Sequence, residues 1–265
     1  MTSSPSAQPS TLSRRSVAKG LGWSVPAVAM VSAAPAMAAS APTGICFTLD
    51  FNRYSGSARG QTFYFTSPET TYQLPMTVTY TQLAGQEFRL RGSGSLSNSN
   101  MNIGYRAFDS GDNSATLMGM SPSRTGLLLN QYLPGAAANI EFAFGAQVTS
   151  VSMDIYDITR VNNTINSNAW RHIDTVSFNQ GTVNVSGQTA LFNRTSGTAG
   201  TQFFRTGVYE TGSNQNVGPA NFTVSGLAAT DLTMRYDNTY TGGTNTSFAR
   251  RNAEFIAIGN MRVCT

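Results

Sequence analysis

From Ile45 onward, apolar and polar residues alternate in short runs, and no stretch after Ala39 keeps an apolar helical period over three turns. A period of two marks strands that are half-buried, with one face turned in and the other out. It predicts strands at "ICFTLDF" from Ile45, "QTFYF" from Gln61, "MTVTYTQ" from Met76, "EFRLR" from Glu87, "NIEFAF" from Asn139 and "VTSVSMDIYD" from Val148. Later runs predict strands at "HIDTVSF" from His172, "TVNVSG" from Thr182, "NFTVSG" from Asn221, "DLTMRY" from Asp231 and "EFIAIGNMRVC" from Glu254. Between them lie "RGSGSLSNSN", "ETGSNQNVGPA" and "YTGGTNTS", clusters of the residues that build turns and loops.

Many short strands with turn signals between them predict an all-β, two-sheet antiparallel β-sandwich, formed as a single domain after an N-terminal signal peptide. Thr, Ser, Asn and Gly dominate, and only 11% of residues are charged. That polarity alone suits a disordered chain, but the alternating apolar sets supply a core.

The first 38 residues read as an export signal and are left out of the fold. Arg14, Arg15 and Lys19 carry the charge of its polar start, an apolar run spans Gly20 to Ala34, and Ala36-Met37-Ala38 is an A-x-A cleavage site. The spacing Ser-Arg-Arg-x-x-x-Lys and the weak Ala/Gly-rich apolar run favour the twin-arginine route, which exports folded proteins, over the general secretory route. The translocase of that route is thus an expected partner. Pro26 and Pro35 break the apolar run, which is short of the roughly 20 residues a spanning helix needs, so no stable membrane insertion is expected. The domain then covers residues 39–265, 265 − 38 = 227 residues, secreted or held in the cell envelope.

Removing the signal leaves 17 − 3 = 14 basic residues against 13 acidic ones, a net charge of 14 − 13 = +1. The basic pI near 9.3 belongs partly to the leader. The remaining arginines are scattered except for Arg250-Arg251, so no nucleic-acid partner is expected.

Cys46 lies in the first predicted strand and Cys264 is the penultimate residue, so a disulfide between them would tie the ends together; two free buried thiols are the alternative. Apart from them, the only thiolate or imidazole ligand is His172, which is too few for zinc, copper, haem or iron–sulfur chemistry. No glycine-rich phosphate loop is present, and no cofactor is expected. Calcium needs only oxygens and stays open. "DSGDN", Asp109 to Asn113, has suitable residues without the register of an EF-hand loop. Asp157 continues the parity of Val151, Met153 and Ile155, and Asp174 shares that of Val176 and Phe178. Two inward carboxylates suit a calcium site, a catalytic pair, or two anchors that accept hydrogen bonds from the loop joining them.

The segment "RVNNTINSNAWRH", Arg160 to His172, holds the one Trp outside the leader among amides that both donate and accept. Trp170 with Asn163, Asn166, Asn168 and Arg171 suits a sugar face, by stacking and paired polar contacts. The plain alternative is that Trp170 plugs a gap beneath its own loop. Tyr132, Tyr156 and Tyr240 are weaker platforms.

The run "FAFGAQVTSVSMDIYDIT", an Asn-rich loop, "WRHIDTVSF" and "FIAIGNMRVC" together resemble a jelly-roll-like domain of secreted and surface proteins of bacteria. The leader "SRRSVAKGLGWSVPAVA" likewise resembles those of exported proteins in high-GC Gram-positive bacteria. The resemblance implies a β-sandwich on or beyond the cell surface. Thr159 stands where many relatives have Asp, which removes one oxygen ligand for calcium.

For catalysis, His172 with Asp157 or Asp174 supplies two members of a hydrolase triad, but no G-x-S-x-G elbow accompanies them, and no spacing marks a glycosidase carboxylate pair. The chain is therefore expected to be a non-enzymatic binding or adhesion module for cell-surface or matrix glycans. A self-associating structural protein and a glycoside hydrolase are the alternatives.

Overall fold

The computed structural model describes residues 41–87, 100–104, 106–108, 114–116, 121, 123–163, 170–187, 192–206, 219–242 and 253–265. Arg14, Arg15 and Ala38 lie outside them, as does the Asp109 to Asn113 loop. In the unit Ala41–Thr265 the described elements are strands and one short 3-10 turn. The strands are β1 (Cys46–Leu49), β2 (Gly56–Ser57), β3 (Thr62–Ser67), β4 (Thr70–Glu87), β5 (Asn102–Gly104), β6 (Arg106–Phe108), β7 (Ser114–Thr116), β8 (Gly126–Tyr156), β9 (Arg160–Asn163), β10 (Trp170–Phe178), β11 (Thr182–Gly187), β12 (Ser196–Thr198), β13 (Ala220–Gly242) and β14 (Ala253–Cys264). The chain turns out of β1 at Phe51–Arg53, where the Asp50 carboxylate caps the turn by accepting from Asn52 N at 3.0 Å.

The fold is an all-β sandwich in which two long strands serve both layers. β8 pairs with β4 and β13 through residues 136–144, then with β13 and β14 through residues 148–156. β13 changes layer between Ser225 and Asp231, where its register against β8 shifts. One layer runs β14, β8, β13, β11, β12, with β1 beside the end of β14; the other runs β3, β4, β8, β13, β10, β9. The expected pairs "NIEFAF"/"VTSVSMDIYD" and "NFTVSG"/"DLTMRY" are thus halves of single bent strands. Glycines make the bends in β8: Gly135 takes φ 71°, and Gly145 lets the Pro75 ring approach where a Cβ would stand.

β14 pairs with two stretches of β8 and runs antiparallel to each: Ile256 to Ile258 lie opposite Leu129 to Leu127 on one side, and Ala257 to Cys264 opposite Tyr156 to Ser150 on the other, so Ala257 faces both Leu128 and Tyr156. β8 therefore passes β14, crosses to the other layer and returns on its far side. The expected alternation holds within these strands: Val151, Met153 and Ile155 of β8 and Phe222 and Val224 of β13 lie in the core. The layers meet at Phe222, whose ring contacts Phe178, Phe192 and Phe203 with centroids 6.0, 5.9 and 5.7 Å apart.

Cys46 and Cys264 are register partners of β1 and β14 and are joined by a disulfide. Thr265 N donates to Ile45 O and Gly44 N to Thr265 O, so backbone bonds continue the ladder past the bridge. Because it closes a separation of 218 residues, the bridge stabilises mainly by restricting the unfolded chain. Replacing both cysteines by Ser is expected to lower the unfolding free energy by up to about 5 kcal/mol, read as a lower denaturant midpoint. An unchanged midpoint contradicts that role.

Candidate functional site

The segment from Arg160 to His172 is a hairpin whose arms are strands. β9 and β10 pair Trp170 with Asn163, Arg171 with Asn162, His172 with Val161 and Ile173 with Arg160. Reading the whole segment as loop overran it, because Asn-rich strands lack the apolar alternation that betrays a strand. Asn166 and Asn168 fall in 164–169, outside the described residues. On its other side β10 pairs with β13, Arg171 opposite Gly242 and His172 opposite Tyr240. β9 is the outer strand of this layer among the described residues.

Asp174 fixes the hairpin to the sandwich. Its carboxylate is fully buried, as the parity of Val176 and Phe178 requires. One oxygen accepts from Thr159 N at 3.0 Å and Thr159 Oγ1 at 2.7 Å. The other accepts from the Tyr236 hydroxyl and Asn238 Nδ2, each at 2.9 Å. Asp174 N also donates to Thr159 O at 2.9 Å. Buried charge is tolerated when its lone pairs are met by donors, and hydrogen bonds to a charged group are the stronger class. Of the three readings of an inward carboxylate, this arrangement is the anchor. Thr159, noted above only as an oxygen ligand lost, is the residue that supplies two of the donors.

Asp157 departs from the expectation that it faces inward. β8 ends at Tyr156, Asp157 takes a left-handed φ of 61°, and Ile158 occupies the core position at 1% exposure. The turn resets the alternation, so Asp157 is only half-buried. Among the described residues no group of three or more His, Cys, Asp or Glu side chains is placed to hold a metal ion.

A second polar cluster, built on Asp154, lies on the outer face of the other layer. Asp154 accepts from Asn221 Nδ2 at 3.1 Å and from Asn260 Nδ2 at 2.7 Å, one amide to each oxygen. Asn221 Oδ1 in turn accepts from Ser152 Oγ at 3.1 Å and Thr223 Oγ1 at 3.2 Å. Asn260 reaches Asp154 through a β-bulge: Gly259 pairs with Asp154 and Arg262 with Ser152, so β14 spends three residues where β8 spends two. The signal for it is present in the sequence, since the inward set of β14 switches from Ile256 and Ile258 to Met261 and Val263.

Next to Asp154 on this face, Tyr156 packs with Leu128, Ala257 and Phe255 and is 1% exposed, which removes it as a stacking platform. Its hydroxyl is buried and makes no hydrogen bond of ordinary geometry. Burial, and secondarily the Asp154 charge, raise its pKa above 10.0, while the Arg124 guanidinium partly offsets them.

Compared with protein-family models, curated proteins and solved structures, the chain matches none.

Asp174→Asn keeps the shape but turns an amide NH2 toward two donors, so it is expected to cost about 2–4 kcal/mol and to speed hydrogen exchange in β9 and β10. Wild-type stability and exchange in that variant contradict the anchor. For Tyr156, the unfolded chain loses the phenolic proton near 10.0 while the folded chain still holds it. Stability therefore falls as pH rises through that value, and is unaffected below it. Tyr156→Phe is expected to flatten this alkaline slope, with stability at neutral pH within about 1 kcal/mol of wild type or higher. An unchanged slope contradicts the assignment.

Proposed function

We propose that the chain is an exported, non-enzymatic binding module that acts in the cell envelope or outside the cell and takes carbohydrate as its ligand class. The observation that carries this reading is the anchoring of the β9–β10 hairpin by Asp174. A connection rooted by four donors on a buried carboxylate presents its tip from a fixed base, the arrangement by which rigid scaffolds carry binding loops. Trp170 and Asn163 are register partners at the mouth of that connection, and Arg171 follows Trp170. An indole plane with amides and a guanidinium matches a pyranose, apolar on its face and rich in hydroxyls at its rim. The Cys46–Cys264 disulfide is in keeping with an oxidising compartment, and so with the twin-arginine leader.

Asp174 was one member of the carboxylate pairs considered for hydrolysis. Both of its oxygens are engaged by structural donors in the core, which favours binding over a glycosidase. Self-association through sheet edges is favoured less, because the described edge strands β9 and β12 have only 4 and 3 residues, and short edges blunt strand pairing.

Glycan-array and polysaccharide pull-down binding is expected for the mature protein, with Trp170→Ala weakening it at least about tenfold while the fold is retained. Absence of glycan binding, or equal binding by the variant, contradicts the proposal.

A further inference from the structure

We propose that Asp154, with Asn221 and Asn260, forms a second sugar-binding site on the outer face of the β14, β8, β13 layer, for a neutral vicinal diol. The inference rests on the carbohydrate reading above but places the contact away from the hairpin. Asp154 is half-buried, and the groups that hold it are neutral amides, one on each oxygen. A carboxylate has about four acceptor positions, so each oxygen keeps one after these bonds, and two adjacent hydroxyls match that pair. Each side-chain amide uses one N–H on Asp154 and keeps the other, a donor for the oxygens of the same hydroxyls. Ser152 and Thr223 extend the polar surface beside it, joined at 3.3 Å.

The ligand class follows from charge. An anion is repelled by Asp154, and a hard cation needs more oxygen ligands than one carboxylate and its amides offer. A diol requires the acceptors and donors present and no neutralising charge. One further feature favours a built site. The bulge in β14 breaks its pairing to bring Asn260, at φ 43°, over Asp154, and bulges are the common means of re-aiming a side chain at a functional position.

The test is a nuclear magnetic resonance titration of the disulfide-bonded mature protein with mannose, galactose and N-acetylglucosamine, and separately with calcium chloride. At least one sugar is expected to shift the side-chain amide signals of Asn221 and Asn260 saturably. Asp154→Asn is expected to weaken that response about tenfold or more, whereas Trp170→Ala leaves it unchanged. Sugar-induced shifts confined to residues 160–173 overturn this site and leave the hairpin proposal standing. Shifts of Asn221 and Asn260 with calcium alone overturn it in favour of a cation site. No saturable shift anywhere overturns both.

Discussion

A carboxyl group buried in a sandwich core has to be met by hydrogen-bond partners, and meeting Asp174 organises one end of this protein. Thr159 must follow β8 closely enough to offer both its amide and its hydroxyl, and Tyr236 and Asn238 must come in from β13. The three segments are held by one side chain, and the hairpin between them has its base set by core chemistry rather than by loop chemistry.

The same division of labour appears across the sheet. β8 packs Val151, Met153 and Ile155 into the core between the layers, while Ser152 and Asp154 lie on the opposite face and are free of the core's demands. On that outer face the protein does not simply scatter polar groups. It ties Asp154 to amides from β13 and β14 and disturbs the ladder of β14 to do so. Both polar centres are carboxylates fixed by neutral donors; they differ in that one is sealed in the core and the other lies at the surface.

Much of the fold was legible in the sequence, because alternation reports which face a residue takes without reference to its partners. The strands around Phe63, Val151, Val183 and Val224 follow from it, and Asp174 is placed inward by the same count. Partnership is different. Nothing local says that "NIEFAF" and "VTSVSMDIYD" are one strand bent at Gly145, or that β14 slips between two stretches of β8, antiparallel to both. Parity also fails where φ changes sign: Asp157 was assigned to the core from the count that its own left-handed turn resets. The donors to Asp174 lie 15, 62 and 64 residues away, and no spacing rule reaches that far.

The proposed function turns on the hairpin rooted at Asp174 meeting the ligand. Hydrogen-exchange mass spectrometry of the mature protein, with and without a polysaccharide selected by pull-down, tests this most directly. Slower exchange in the peptides spanning residues 160–173 on binding is the expected result. Polysaccharide bound with the exchange of those peptides unchanged would contradict it.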